Sequence, residues 1–218
     1  MKNANIDKKI SLSDLNRPKD YIEVAERYPF AIRNIYDDAM SHTIKRHSGQ
    51  EVPLHIDCEL SILEKCGVIR TSNVQARMTD WHLHTEFESI KWITDQACRL
   101  AEQICLRLAP TKMYCNESWG IHYTEKTSAK RHSHFPYTFA FGYYVKMPEY
   151  APIIFPTANY EYNPKVGDLI VFPGFIQHEV KPVEGERIMI AGNMYNTQWS
   201  SPRNFQNSSI EDVIKYNS

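Results

Sequence analysis

No stretch of the sequence is apolar for the ~20 residues that a membrane-spanning helix takes. Basic charge is not in surplus either: 25 Lys and Arg stand against 26 Asp and Glu, a formal net charge of −1. Without a basic excess nothing holds a phosphate backbone, which argues against nucleic acid as the main partner. Cysteine is sparse. Cys58, Cys66, Cys98, Cys105 and Cys115 are an odd number with no CxxC pair, a poor basis for a disulfide framework and a good fit to a reducing compartment. The opening MKNANIDKKISLSDLNRPKD has neither the apolar core of a secretory signal nor the acid-free pattern of a transit peptide. These absences set the expectation of a soluble, cytoplasmic protein.

What is present is the composition of an ordinary globular chain: 218 residues, 42% hydrophobic and 23% charged. No internal repeat or low-complexity segment interrupts it, but the texture changes near Pro110. Before that point helical spacing dominates. Phe87, Ile90, Ala97, Leu100, Ala101, Ile104 and Leu108 form one stripe, with Thr85 and Glu88 in capping-box relation ahead of it and Pro110 after it. A second helix is predicted from about Asp20 to Met40, and a strand and turn within Val52–Ile69. The flank, residues 1–110, reads as a helical region that packs on the C-terminal half of the chain.

After Pro110 the period shortens to that of strands. Trp119–Tyr123, Tyr137–Val145, Pro152–Phe155, Asp168–Phe172, His178–Lys181 and Arg187–Asn193 are rich in aromatic and β-branched residues and broken by Pro and Gly. Short strands at this spacing predict a jelly roll or barrel over residues 111–207. A short helix, Ile210–Tyr216 within 208–218, starts from Ser208 with Glu211 in capping relation.

Among nine histidines, His42, His47, His55 and His122 stand alone and read as structural or surface residues. His82 and His84 form an HxH pair ahead of the long helix, without a third ligand at strand geometry. His132 and His134 differ, because they enter the longest strand-like run, where residues two apart share a face. His178 opens another strand. Two ligands from one strand and one from another leave three open metal positions, which oxygen chemistry at non-heme iron needs. A structural role for the same three residues fits the spacing as well.

Arg187 comes after His178, across the turn in EVKPVEGERIMI. With Ile188 and Ile190 on one face of its strand, Arg187, Met189, Ala191 and Asn193 take the other. If that face is interior, the guanidinium needs an anion, and the far carboxylate of a metal-chelating five-carbon diacid would serve. An exposed position beside the turn is the alternative.

From Trp119 to Asn193 the chain resembles the 2-oxoglutarate and Fe(II)-dependent dioxygenases, nearest to the small phage and bacterial oxygenases and akin to prolyl hydroxylases. The resemblance rests on a tryptophan thirteen residues ahead of the first histidine in SWGIHYTEKTSAKRHSHF, on the strand FAFGYYVKMP, and on GDLIVFPGFIQHEVKPVEGERIMIAGN. The upstream NVQARMTDWHLH is also similar. It implies a double-stranded β-helix, a cupin-like jelly-roll barrel, binding Fe(II) through His132 and His178. It further implies that Arg187 holds the distal carboxylate of 2-oxoglutarate with a tyrosine hydroxyl, Tyr144 or more weakly Tyr123. Packing is the plain alternative for either tyrosine. The implied reaction takes O2, decarboxylates 2-oxoglutarate to succinate and hydroxylates a substrate that the sequence does not name.

The chain departs from that pattern at His134, where most of the superfamily has Asp or Glu. Either His134 completes a three-histidine site, which strand geometry favours, or water or another group fills the position. FGYYV in place of SGVYYV, and the loss of asparagines near Ile121 and Tyr123, fall around the pocket. Phe135, Tyr137, Phe139 and Phe141 are candidate pocket linings, about half of them core by alternation. Two other readings stay open. One is a cupin-type three-histidine metalloenzyme without 2-oxoglutarate, although the glutamate expected after HxH is missing. The other is a metal-free jelly-roll binding module.

Overall fold

The computed structural model describes residues 30–67, 73–105, 111–182 and 184–196. Thirteen strands and three helices are described within them, and two sheets make the body. The larger sheet holds six strands: β1 (Ala31–Asn34), β5 (Arg77–Met78), β6 (Tyr114–Tyr123), β8 (Phe139–Lys146), β11 (Asp168–Pro173) and β13 (Arg187–Tyr195). Its order is β1-β11-β8-β13-β6-β5, antiparallel throughout. The smaller sheet holds β4 (Val74–Gln75), β7 (Ser128–His132), β9 (Ile153–Phe155), β10 (Tyr160–Tyr162) and β12 (His178–Val180), in the order β10-β9-β12-β7-β4. A separate hairpin pairs β2 (Thr43–Lys45) with β3 (Glu51–Pro53). Among the described residues no ladder joins the two main sheets into one closed barrel.

Strand alternation divides the core in two. One set of side chains on the large sheet, including Phe139, Tyr143, Leu169, Val171, Ile188 and Ile190, packs outward against helices. Those helices are α1 (Tyr36–Ser41), α2 (Leu54–Lys65) and α3 (Glu88–Cys105). They contribute Ala39, Leu54, Cys58, Ile62, Ile90, Ile93, Ala97 and Leu100 to that layer. The opposite set, including Trp119, Ile121, Tyr123, Tyr144, Ile170, Phe172, Met189 and Ala191, faces the small sheet and meets Val74, Ala129, Ile153, Phe155 and Val180. The face carrying Arg187 and Met189 is therefore the interior one, as period-two alternation requires.

All six strands expected after Pro110 are present. The flank differs from expectation. It is not a purely helical layer, since β1 and β5 extend the large sheet and β4 the small one. Ala31–Asn34, expected within a helix, is strand β1, because it pairs with the exposed edge of β11 through Ala31↔Val171 to Asn34↔Asp168. The strand and turn expected in Val52–Ile69 are mostly helix α2. Its buried residues Leu54, Cys58, Ser61 and Ile62 recur at helical spacing and cover the sheet. The Thr85–Glu88 capping box does not form: the Thr85 hydroxyl donates instead to the His82 carbonyl at 2.8 Å. The C-terminal helix expected at Ile210–Tyr216 lies outside the described residues, as does Asp20–Pro29 of the second predicted helix.

The GDL motif fixes the turn into β11. Gly167 has φ +85, and a side chain there would run into Tyr36. The Asp168 carboxylate then accepts from Asn34 Nδ2 (2.9 Å), the Tyr162 hydroxyl (2.7 Å) and the Lys165 backbone N–H (2.7 Å), locking β1 and both ends of the turn together.

Candidate metal centre

The small sheet sets two histidines opposite each other. His132 ends β7, His178 begins β12, and the register pairs them directly, with ring centroids 4.4 Å apart. His134 lies beyond β7 rather than on it, so strand periodicity is not what brings it in. Its backbone N–H donates to the Gly174 carbonyl at 2.6 Å. Gly174 can come that close because it has no side chain; a Cβ there would meet the Tyr137 carbonyl at 2.2 Å. The ligand atoms of His132, His134 and His178 all lie within 4.8 Å of one another, and among the described residues no other such group of His, Cys, Asp or Glu occurs.

The ring nitrogens are sorted by their neighbours. His132 Nδ1 is 2.6 Å from the Lys130 carbonyl and His178 Nδ1 is 3.4 Å from the Ile176 carbonyl. A carbonyl only accepts, so each Nδ1 carries the proton and each Nε2 keeps a free lone pair. His134 Nε2 lies 3.4 Å from His178 Nε2. Two lone pairs that close repel unless a proton or a cation sits between them. Two imidazoles bound at right angles ~2.1 Å from one ion would stand ~3 Å apart, close to this separation. Burial lowers the pKa of all three: His134 to about 3, helped by His132; His178 well below its ordinary value, helped by His134 and His132; and His132 less, because the Lys130 carbonyl opposes the shift. At neutral pH all three are neutral imidazoles, the form that binds metal.

Arg187 shares the same cavity, which is also bordered by Trp119, Tyr123, Tyr144, Phe172 and Met189. The arginine is fully buried, at 0% exposure. Its Nη1 donates to the Ala151 carbonyl at 3.3 Å and its Nη2 reaches Met189 Sδ at 3.4 Å, while Nε has no partner. The guanidinium lies 4.9 Å from the centre of the Tyr144 ring and 5.2 Å from that of Tyr123. The Tyr144 hydroxyl is buried without a hydrogen-bond partner. Burial pushes that phenol up to about 12, although Arg187 opposes the shift, and raises Tyr123 as well. No Asp or Glu lines the cavity among the described residues. A buried cation without a carboxylate is costly, and several kcal/mol is the usual order. The orphaned Nε and Tyr144 hydroxyl are what an incoming carboxylate would satisfy. Gly142 leaves room beside them, since a Cβ there would stand 3.0 Å from Met189 Cε and 3.6 Å from the Tyr144 hydroxyl.

The six residues singled out from the sequence thus come together around one cavity. The aromatic linings only partly agree. Phe135 is exposed, Tyr137 packs on Tyr195 with ring centroids 4.7 Å apart, and Phe139 joins the helix-side core; Phe141 does border the cavity. Trp119, Phe172 and Phe155 stand beside the histidines: Trp119 is 6.0 Å from His134, and Phe172 and Phe155 are 4.9 Å and 6.0 Å from His178, centroid to centroid. Trp119 Nε1 is buried without a partner. His82 and His84 do not join the centre. The His84 backbone N–H and ring Nδ1 both meet the Ser118 hydroxyl, and burial, then His82, lowers its pKa to about 4.

The fold is similar to that of a prolyl-4-hydroxylase from Pseudomonas putida, with TM-score 0.56 and 16% identity over 77% of this chain and 92% of that one. It is similar to a prolyl hydroxylase from Trichoplax adhaerens, solved with a hypoxia inducible factor oxygen degradation domain peptide fragment (TM-score 0.53, 17% identity, 83% and 87% covered). A non-heme α-ketoglutarate-dependent carbocyclase from nogalamycin biosynthesis also matches (TM-score 0.56, 10% identity, 83% and 86% covered). At these identities the likeness establishes the fold alone, a jelly roll. No family model matches the sequence, and no curated protein sequence does. No described helix is long and apolar enough to cross a membrane.

Proposed function

We propose that the chain is a non-heme Fe(II) and 2-oxoglutarate-dependent dioxygenase, with His132, His134 and His178 holding the metal and Arg187 with Tyr144 holding the co-substrate. The observation that carries this reading is Arg187, fully buried with an orphaned Nε beside the orphaned Tyr144 hydroxyl, in the same cavity as three neutral histidines. A cupin-type enzyme without 2-oxoglutarate has no use for that cation, and a metal-free binding module has no use for the triad.

When bound, iron and 2-oxoglutarate supply the O2-dependent chemistry that couples decarboxylation to succinate with hydroxylation of a substrate C–H bond. The chain's own residues do the rest. His132 and His178 present Nε2 because backbone carbonyls hold their Nδ1 protons. Arg187 offers a planar, permanently charged donor to a carboxylate, with the Tyr144 hydroxyl as a second donor. Tyr123 lies against the guanidinium and keeps water from it. The apolar walls, Ile121, Ile153, Phe172 and Val180, exclude bulk water from the rest of the cavity. The substrate is a small molecule or a peptide, in keeping with the neighbours, one of which carries a peptide and another of which is a carbocyclase of nogalamycin biosynthesis.

Anaerobic titration with Fe(II) and 2-oxoglutarate tests the reading through the visible charge-transfer band of the chelate. The band is expected in wild type, absent in His178→Ala and weakened in Arg187→Met. Metal binding with no response to 2-oxoglutarate would leave the cupin-type alternative standing.

A further inference from the structure

The histidine end of the cavity carries an orphaned donor of its own, on Trp119. This residue borders the cavity and is 5% exposed, yet its buried indole Nε1–H has no hydrogen-bond partner. A buried indole ordinarily finds one, since the N–H can only donate. The cavity wall offers nothing to fill the gap. Among the described residues that border it there is no Asp, Glu, Asn, Gln, Ser or Thr. Its two tyrosines stand against the Arg187 guanidinium, with ring centres 4.9 Å (Tyr144) and 5.2 Å (Tyr123) away. The missing acceptor therefore has to arrive with whatever binds.

Position along β6 decides where that acceptor sits. The interior side chains of this strand run Trp119, Ile121, Tyr123. Register places Tyr123 opposite Arg187 and Trp119 opposite Ala191. Four residues of extended strand cover about 13 Å, so indole and guanidinium serve different ends of the cavity. The Trp119 ring stands instead beside the histidines, its centroid 6.0 Å from that of His134. Trp81 packs edge-on against it, with centroids 4.5 Å apart and planes at 68°, which holds the indole in place. A metal held by three histidines keeps three positions open for oxygen ligands, and these lie at the same end.

We infer that the Trp119 Nε1–H donates to the carboxylate at the metal-chelating end of the bound 2-oxo acid. The inference rests on the iron and 2-oxoglutarate reading and extends it, giving the diacid a polar anchor at the end opposite Arg187. A carboxylate that spends one lone pair on the ion has others left for an indole donor. The bond is of the stronger, charge-assisted kind because its acceptor is ionised. Donors at both ends with apolar walls between them fix which way round the co-substrate lies.

The test is nitrogen-edited proton NMR of the indole N–H groups in the full chain loaded with Zn(II), a diamagnetic stand-in for iron. The sequence has four tryptophans, and Trp119→Phe identifies the Trp119 signal by its loss. Through-space contacts to the His134 ring identify it without the variant. Adding 2-oxoglutarate is expected to move this signal downfield and slow its exchange with water. Pyruvate, which has the 2-oxo acid end but no far carboxylate, should do the same in wild type and in Arg187→Met. Trp119→Phe should bind both acids about tenfold more weakly at unchanged Zn(II) affinity, as expected for one hydrogen bond to an anion. Arg187→Met should weaken 2-oxoglutarate alone. Both acids binding with the Trp119 signal unmoved would overturn the inference, as would a signal already downfield and protected with Zn(II) alone. A wild type that binds Zn(II) but neither acid would overturn the co-substrate reading instead.

Discussion

His132 and His178 are register partners across two antiparallel strands, so two of the three proposed metal ligands are set by backbone pairing rather than by a loop. A site built on strands is held more firmly than one built on loops. Replacing either residue should remove the metal without unfolding the sheet. For a metal at one hundred times its Kd, native-state binding adds about 2.7 kcal/mol of stability. Differential scanning with and without Fe(II) or Co(II) should show that increment in wild type and none in His178→Ala. An equal shift in both proteins would place the metal elsewhere.

Arg187→Met should separate stability from binding. Removing an uncompensated buried charge in favour of an apolar side chain of similar length is expected to leave the ligand-free protein as stable or ~1 kcal/mol more stable. The same change removes a charge-assisted carboxylate contact, worth about 1.5–3 kcal/mol, so 2-oxoglutarate affinity should fall at least about tenfold. Urea melts and co-substrate titration read the two effects. A marked loss of ligand-free stability would mean that Arg187 is structural.

Helix α2 is seated on the sheet through one close approach. A Cβ on Gly120 would lie 2.7 Å from Ile62 Cγ1 and 2.8 Å from its Cγ2. Gly120→Ala should therefore cost about 1–3 kcal/mol by overpacking, and Ile62→Ala about 2–5 kcal/mol by leaving a cavity. The double variant should cost clearly less than the sum, because each change relieves the other. Additive losses would show that helix and strand relax independently.

All five thiols are held protonated, chiefly by burial. Cys66 is pushed up to about 11 and Cys98 to about 12, and Cys58, Cys105 and Cys115 are raised too. Above the ordinary thiol value near 9, unfolding releases protons that folding retains. The thiol contribution to stability is therefore intact below pH ~9 and lost as pH climbs towards about 11–12. Urea midpoints should fall between about pH 8 and about pH 10. Iodoacetamide at about pH 8 should modify native protein far more slowly than unfolded protein, and rapid reaction of Cys58, Cys66, Cys98 or Cys105 would contradict its burial.

Much of the second half was legible because its strands bury opposite faces in different surroundings. In β13 the isoleucines face helices while Arg187 and Met189 face the cavity, so alternation alone places the arginine indoors. The flank was harder. Ala31–Asn34 has no strand signature of its own and is strand only because β11 offers an edge. Leu54, Cys58 and Ile62 are too few, behind Pro53, to announce a helix whose cover comes from the sheet. The expectation that His132 and His134 share a strand face failed for His134. What draws that residue in is a backbone contact to Gly174, forty residues on in the chain and invisible to local periodicity.

The alternation along β13 has one more consequence, for what kinds of mutation this gene can accept. Substitutions on that strand act one side chain at a time, but losing a single residue from its middle would invert everything beyond the lesion. Isoleucines would be driven into the cavity, and a polar side chain would be turned towards the helices. Length variation among descendants of this chain should accordingly collect in its turns and spare β13 altogether.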